Sequence, residues 1–254
     1  MNEELSIVRP VKKRMRFKSV LRANKWLTPT VKQFTFSAPS EFDFYSGQYM
    51  NMRFKIAEKV VARSYSISSL PGALSDSDEK YLCFTIKNVA GGEVTPALFT
   101  WEVGTEVSLQ GPFGTFFIGE RVPEADIVMI GTGTGLAPLK SMLGYLLESC
   151  HFKRKVTLIM GVRFETELLY MELWKEYEER FSNFQVLTAV SAAKSPAYLG
   201  VHGRVNVILE SNIEHYRTRM FYICGLQAMV NGVATYLRNE GIAAEHIFYE
   251  KYDS

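Results

Sequence analysis

The sequence predicts a two-domain chain: an antiparallel β-sandwich or barrel, followed by an α/β domain on a parallel, doubly wound sheet. Three observations predict it. At ~100–200 residues per domain, the 254 residues suit one large or two modest domains. Before residue 121, turn residues recur at short intervals between β-rich runs; beyond it, apolar strand-like runs alternate with helical patterns. The expected domains are 1–121 and 122–254, with 120–126 as the linker.

Val31–Phe36 alternates with the period of two of a half-buried strand. Tyr49–Phe54, Arg63–Ser68, Tyr81–Ile86 and Thr105–Leu109 follow as short strands, with turns at Gly47, Pro71-Gly72, Gly91-Gly92, Gly104 and Gly111-Pro112. One short helix is expected at Thr95–Trp101. Downstream, Ile127–Ile130 reads as a buried strand, followed by glycines and a helix through Ser149. Lys155–Gly161, Phe184–Val190, Met220–Cys224 and His246–Tyr249 are the remaining strands, and Val205–Glu210 and Gln227–Glu240 are helices. Glu165–Arg180 is expected to be one helix, with Leu168, Leu169, Met171, Leu173 and Trp174 on its apolar face.

Apolar residues make up 47% and charged residues 22%, which excludes wholesale disorder. The charge of +2, from 29 Lys+Arg against 27 Asp+Glu, is too balanced for a dedicated nucleic-acid binder. No apolar stretch approaches the ~18–20 residues that span a bilayer. Met1-Asn2-Glu3-Glu4 lacks a signal-peptide pattern, so a cytoplasmic protein is expected. Cys83, Cys150 and Cys224 are scattered, which gives no disulfide framework, no metal knuckle and too few thiolates for an iron–sulfur cluster. No metal site is expected.

Four segments can carry chemistry. Gly131-Thr132-Gly133-Thr134-Gly135-Leu136-Ala137-Pro138 follows an apolar strand and opens a helix, where free N–H groups and the helix dipole favour a phosphate. It is not a Walker-A loop, because Leu139 stands before Lys140-Ser141. It also lacks the standard dinucleotide acid, since the next strand ends in Gly161-Val162-Arg163. Arg63-Ser64-Tyr65-Ser66-Ile67-Ser68-Ser69 offers a cation, an aromatic ring and hydroxyls; as a strand it puts Arg63, Tyr65 and Ile67 on one face. Gly91-Gly92-Glu93-Val94-Thr95 is a second turn opening a helix. Tyr222-Ile223-Cys224-Gly225 lies at the carboxyl end of a strand, where α/β sheets gather ligands, with Met229 one turn into the next helix. Each segment taken alone also reads as a structural feature: a glycine-rich turn, a half-exposed strand, a buried cysteine.

Their order and spacing, with Gly47-Gln48-Tyr49, Gly111-Pro112-Phe113-Gly114-x-Phe116 and Glu250-Lys251-Tyr252, resemble the ferredoxin–NADP reductase superfamily over roughly residues 15–252. The resemblance implies an FAD-binding antiparallel β-barrel before a nicotinamide-nucleotide-binding α/β domain. It implies an NAD(P)H-dependent flavoprotein reductase, in which hydride passes to flavin N5 and electrons leave singly to an acceptor. By the family pattern, Arg63 pairs with the FAD pyrophosphate, Tyr65 packs on the flavin, and Ser66 bonds near N5. Gly92 and Thr95 hold the pyrophosphate, with Ile67, Glu93 and Val94 in the same segments and Lys87 a looser match. Gly131, Thr132, Gly133, Thr134, Gly135 and Pro138 receive NADH or NADPH, with Gly225 and Met229 behind them. Cys224 sits beside the nicotinamide, Glu250 near the flavin, and Tyr252 covers the ring, although Asp253 and Ser254 follow it. Ser66, Cys224 and Glu250 are the groups expected to tune catalysis.

Nucleotide preference stays open. Ala192 stands where NADPH-using relatives often have an arginine, whereas Arg163 and Arg204 match phosphate-binding positions of some members. Residues 5–40 carry nine cations (Arg9, Lys12, Lys13, Arg14, Arg16, Lys18, Arg22, Lys25 and Lys32) and no acid. Such a surface suits an acidic electron carrier, ferredoxin- or flavodoxin-like, or an oxygenase component. The alternatives are a free-flavin or quinone reductase, and a non-catalytic flavin- or nucleotide-binding module.

Overall fold

The computed structural model describes residues 12–56, 58–120 and 122–252. Arg9, Met1–Glu4, Asp253 and Ser254 lie outside the described residues.

The first half is a six-stranded antiparallel sheet: β1 (Met15–Thr28), β2 (Val31–Ser37), β3 (Tyr49–Ile56), β4 (Lys59–Ser66), β5 (Tyr81–Lys87) and β6 (Glu106–Phe113), in the order β4-β3-β6-β1-β2-β5. The outer strands meet through an antiparallel bridge between Ile67 and Phe84, and the Ser68 N–H donates to Cys83 O at 2.8 Å. This contact closes the sheet into the expected barrel. Alternation builds its core: Phe34 and Phe36 of β2 point inward with Phe42, Met50, Met52 and Phe84. Each fully buried side chain of this size contributes about 1.5–3 kcal/mol of transfer free energy. Helix α1 (Val94–Phe99) caps the barrel through buried Val94 and Leu98.

The second half is an all-parallel sheet of β7 (Ile127–Thr132), β8 (Val156–Val162), β9 (Phe184–Val190), β10 (Val201–His202), β11 (Met220–Leu226) and β12 (Ile247–Tyr252), in the order β10-β9-β8-β7-β11-β12. Both faces are covered, so its central strands are mostly apolar, with buried Thr157 in β8 an exception. Ile127 and Met129 pack with α2 (Leu136–Gly144) and α3 (Met171–Arg180) on one face. Val128 and Ile130 pack with α4 (Val205–Tyr216) and α5 (Gln227–Asn239) on the other. Among the described residues no helix is long and apolar enough to cross a membrane.

The structure corrects several expected elements. β1, which none of the expected strands covers, is the longest strand; Arg16 and Lys18 face out while Ser19 and Leu21 face in. β4 begins earlier than expected and ends at Ser66, because the chain then turns inward: Ser66, Ile67, Ser68 and Ser69 are all buried, and the face shared by Arg63 and Ile67 does not exist. Glu165–Arg180 is not one helix. A 3-10 turn at Glu165–Glu167 is followed by Tyr170 at φ 59, and α3 starts at Met171. The offset leaves Met171 38% exposed, while Leu169 and Trp174 are fully buried. α4 runs twelve residues, twice the expected length.

Candidate functional site

The strand order reverses between β7 and β11, whose following helices, α2 and α5, lie on opposite faces of the sheet. A crevice therefore opens above the carboxyl ends of these two strands. Two of the predicted segments end there in register, with Cys224 beside Gly131.

The glycines of the first segment do different jobs. A Cβ on Gly135 would stand 2.3 Å from Cys224 O, so Gly135 lets α2 press against the β11 backbone. A Cβ on Gly131 would meet Leu136 Cδ2 at 2.7 Å. Gly133 is different: at φ +53 it has nothing within 4 Å of a Cβ, and it lies at the open start of the turn into α2. Next to it the Thr132 hydroxyl is buried, with no hydrogen-bond partner among the described residues. Gly225, at φ +149, brings Thr132 Oγ1 to 2.3 Å and Met229 Cε to 2.9 Å of where its Cβ would be. Thr132, Gly225 and Met229 thus line one cradle that any larger residue at 225 would fill; Thr134 lies in the turn before α2, and Pro138 is buried in the first turn of α2.

The barrel supplies the opposite wall. Ser66, at the end of β4, donates to Glu250 Oε1 at 3.3 Å and shares a 2.7 Å hydrogen bond with the Tyr252 hydroxyl. The Tyr252 hydroxyl also lies close enough to the Cys224 thiol for the two to act on each other electrostatically. β12 pairs with β11 so that Glu250 is level with Cys224. Four residues from three distant segments therefore form one cluster. Burial pushes the Glu250 carboxyl up to about 7, against the Ser66 hydrogen bond, which favours the charged form. Burial also pushes up the Cys224 thiol, with the Glu250 charge adding to it, so Cys224 is a neutral thiol. Glu250 Oε2 lies 3.8 Å from where a Gly114 Cβ would be, and Gly114 lies under the Tyr49 ring.

Along β4, Ala62, Arg63 and Ser64 are exposed. Arg63 makes one hydrogen bond, to Ala62 O at 2.9 Å. Tyr65 is half-buried, and burial raises its phenol to about 12. Ile67 is fully buried in the barrel core with its N–H on Gln48 O, so its side chain is turned away from the open surface. In the second turn, Thr95 Oγ1 accepts from the Val89 N–H at 2.8 Å, Val94 is buried, and Gly92 and Glu93 border the helix start. Lys87 pairs with Glu167 at 3.5 Å across the junction between the domains. Arg163 directly follows β8 and Arg204 directly precedes α4, and Arg163 stacks over Phe164.

Sequence reasoning missed the residues that join the two walls. Ser141 Oγ donates to Ser69 O at 2.7 Å, and Lys140 Nζ to Ser68 O at 3.0 Å. Tyr170 OH bonds Thr85 Oγ1. The one signal was proximity: Lys140-Ser141 lies one helical turn beyond the glycine turn.

Comparison with known proteins agrees with this geometry. Residues 18–118 match the oxidoreductase FAD-binding domain family, and residues 129–235 the oxidoreductase NAD-binding domain family. The reductase component of phenol 2-monooxygenase from Pseudomonas sp. (strain CF600) is 29% identical over 239 residues, 93% of this chain and 65% of that protein. The ferredoxin–NAD(P)(+) reductase component of the naphthalene 1,2-dioxygenase system from Pseudomonas putida is 30% identical over 213 residues, 83% of this chain and 61% of that protein. The chain thus spans somewhat less than two thirds of these relatives' length. The crystal structure of a ferredoxin NADP+ reductase from Neisseria gonorrhoeae with bound FAD and NADP superposes with a TM-score of 0.80 at 25% identity, covering 93% of this chain and 98% of that one. With the two binding domains in succession on a barrel and a doubly wound sheet, the chain belongs to the ferredoxin–NADP reductase superfamily.

Proposed function

We propose that the protein is an NAD(P)H-dependent flavoprotein reductase that passes electrons to a separate carrier protein or oxygenase component. The observation that carries this reading is the cluster of Ser66, Glu250, Tyr252 and Cys224 at the mouth of the crevice headed by the glycine turn. The residues fit both cofactors. The partnerless Thr132 hydroxyl and the open Gly133 turn suit a nicotinamide nucleotide, and the uncovered Arg63 stretch suits FAD. Bound FAD supplies the hydride-accepting and electron-donating chemistry, so the protein's share is alignment and electrostatics.

Arg63 would grip the FAD pyrophosphate with its planar fork, and Gly92 and Thr95 would border it. Tyr65 would pack along the flavin. Gly131–Gly135 would turn backbone N–H groups toward the nucleotide pyrophosphate. Cys224, as a neutral thiol, would fill the space beside the nicotinamide without adding charge. Ser66 and Glu250 would hold a proton at the flavin edge; a carboxyl near 7 can be occupied at neutral pH. The division between the two binding units is proposed at 121/122.

The partner reading rests on charge. Lys12 is paired with Asp43 at 2.7 Å, and Arg22 with Glu79 at 3.2 Å. Arg14 instead stacks over Phe113 at 4.9 Å, and Phe113 lies 5.8 Å from Tyr49, next to the cluster. Lys13, Arg14 and Arg16 thus give an exposed cationic rim close to the proposed reaction centre, which suits an acidic carrier. The test is an anaerobic titration of the FAD-loaded protein with NADH and NADPH, followed by carrier reduction at low and high salt. Bleaching by either nucleotide, and a carrier rate that falls with salt, are expected. A protein that takes up no FAD overturns the enzyme reading, and a salt-independent rate overturns the acidic carrier.

A further inference from the structure

α2 begins at the glycine turn, and its fifth and sixth residues, Lys140 and Ser141, reach across to the barrel. They bind consecutive carbonyls: Lys140 Nζ donates to Ser68 O at 3.0 Å and Ser141 Oγ to Ser69 O at 2.7 Å. Those carbonyls lie two and three residues beyond Ser66, and Ser66 bonds Glu250 and Tyr252. A short rigid path therefore runs from the turn, through α2, to the strand end beside the proposed flavin site. Ser68 is itself fixed, accepting from Thr85 Oγ1 at 3.2 Å, and Tyr170 OH bonds the same Thr85.

Ser141 is fully buried and neutral, which is ordinary for an interface. Lys140 is not. Its ammonium makes no ion pair among the described residues; the Tyr170 ring lies 5.4 Å away, and the charges of Glu148 and Lys25, which act on it in opposite senses, are not in contact with it. Burial lowers its pKa, which records the cost of keeping a cation there. A methionine would fill the same volume without that cost. The charge is thus unexplained by packing, whereas a directed ammonium–carbonyl bond is stiffer than an apolar contact.

Resting on the reductase reading, we propose that Lys140 is a positioning residue for hydride transfer: its bond to Ser68 O fixes the nucleotide-binding turn against the strand end that carries Ser66. Registration at this scale governs rate, since a displacement of about 1 Å can cost ~10²-fold.

The test compares wild type, Lys140→Met, Lys140→Gln and Lys140→Arg, each loaded with FAD. Lys140→Met should slow the single-turnover reduction rate at saturating nucleotide about tenfold. Nucleotide Kd and FAD content should stay within about twofold. Independently of activity, amide hydrogen exchange over residues 66–70 should quicken in the FAD-free Lys140→Met protein. Lys140→Arg should recover both readouts, and Lys140→Gln, which keeps a donor, should lie between and substitutes if Lys140→Met does not fold. An unchanged reduction rate in Lys140→Met (or, failing that, Lys140→Gln), or exchange there that does not quicken, overturns the proposal. If wild type is bleached by neither nucleotide, the reductase reading fails instead.

Discussion

The molecule has two glycine turns that each open a helix, and they are built differently. Gly131–Gly135 is pinned on both sides: Gly131 sits under Leu136 and Gly135 against the Cys224 backbone. Its helix, α2, is buried along eight of nine residues. Gly91–Thr95 opens a helix of six residues, and Gly91, at φ +76, has nothing within 4 Å of a Cβ. The deep turn is held in place by close packing, and the shallow one by a loop bond from Val89 N–H to Thr95. A phosphate at the first can be held by oriented backbone N–H groups alone, while one near the second needs a side-chain charge, which Arg63 provides in our reading.

Four substitutions test that difference. Gly135→Ala forces a Cβ against Cys224 O at 2.3 Å, so denaturant unfolding should register a loss of about 3 kcal/mol. A loss near zero would mean that the deep turn is not packed as described. Arg63→Ala should leave the melting temperature of the FAD-free protein unchanged, because among the described residues Arg63 bonds only its neighbour's carbonyl. FAD affinity, read by fluorescence quenching, should weaken about tenfold; equal affinity would remove Arg63 from the FAD site.

Glu250 stands where the deep turn meets the barrel. Its carboxyl holds a proton up to about 7 when folded, against an ordinary value of 4.5. Between those values the folded state binds more protons than the unfolded state, so this group makes stability fall as pH rises. Glu250→Gln should flatten that segment of the stability–pH curve, measured from about pH 4.5 to about pH 7; an unaltered slope would assign it to another group. Gly91→Ala should cost only about 1–2 kcal/mol, the strain of a left-handed backbone. It should leave nucleotide affinity by calorimetry untouched, and a loss of affinity there would make the two turns alike.

Much of this was legible in the sequence, for definite reasons. β2, β3, β5, β7, β8 and β9 carry clear periodicity or apolar runs, and each lies where expected. β1 was not delimited because its outward cations, Arg16 and Lys18, leave few apolar positions to mark a strand, and the register shift between Leu21 and Ala23 interrupts the alternation. The break before α3 was invisible because Tyr170 at φ 59 is a backbone choice imposed by its tertiary contacts, not by local preference. The inward turn after Ser66 was missed because serines mark no face by themselves. In the site, the resemblance put Ser66 and Glu250 each near the flavin, and the hydrogen bond between them came only with the geometry. Lys140 on Ser68 and Ser141 on Ser69 join residues 72 apart, and no local pattern carries that information.

The bonds from Ser66 to Glu250 and Tyr252 have a consequence for heat inactivation. They link the barrel to the last described strand of the parallel sheet, across 184 and 186 residues. The cluster therefore exists only while the two domains are docked. The cluster is lost as soon as they part, because Ser66 belongs to the barrel while Cys224, Glu250 and Tyr252 belong to the parallel-sheet domain. Inactivation on heating should accordingly follow the separation of the domains and precede the melting of either one.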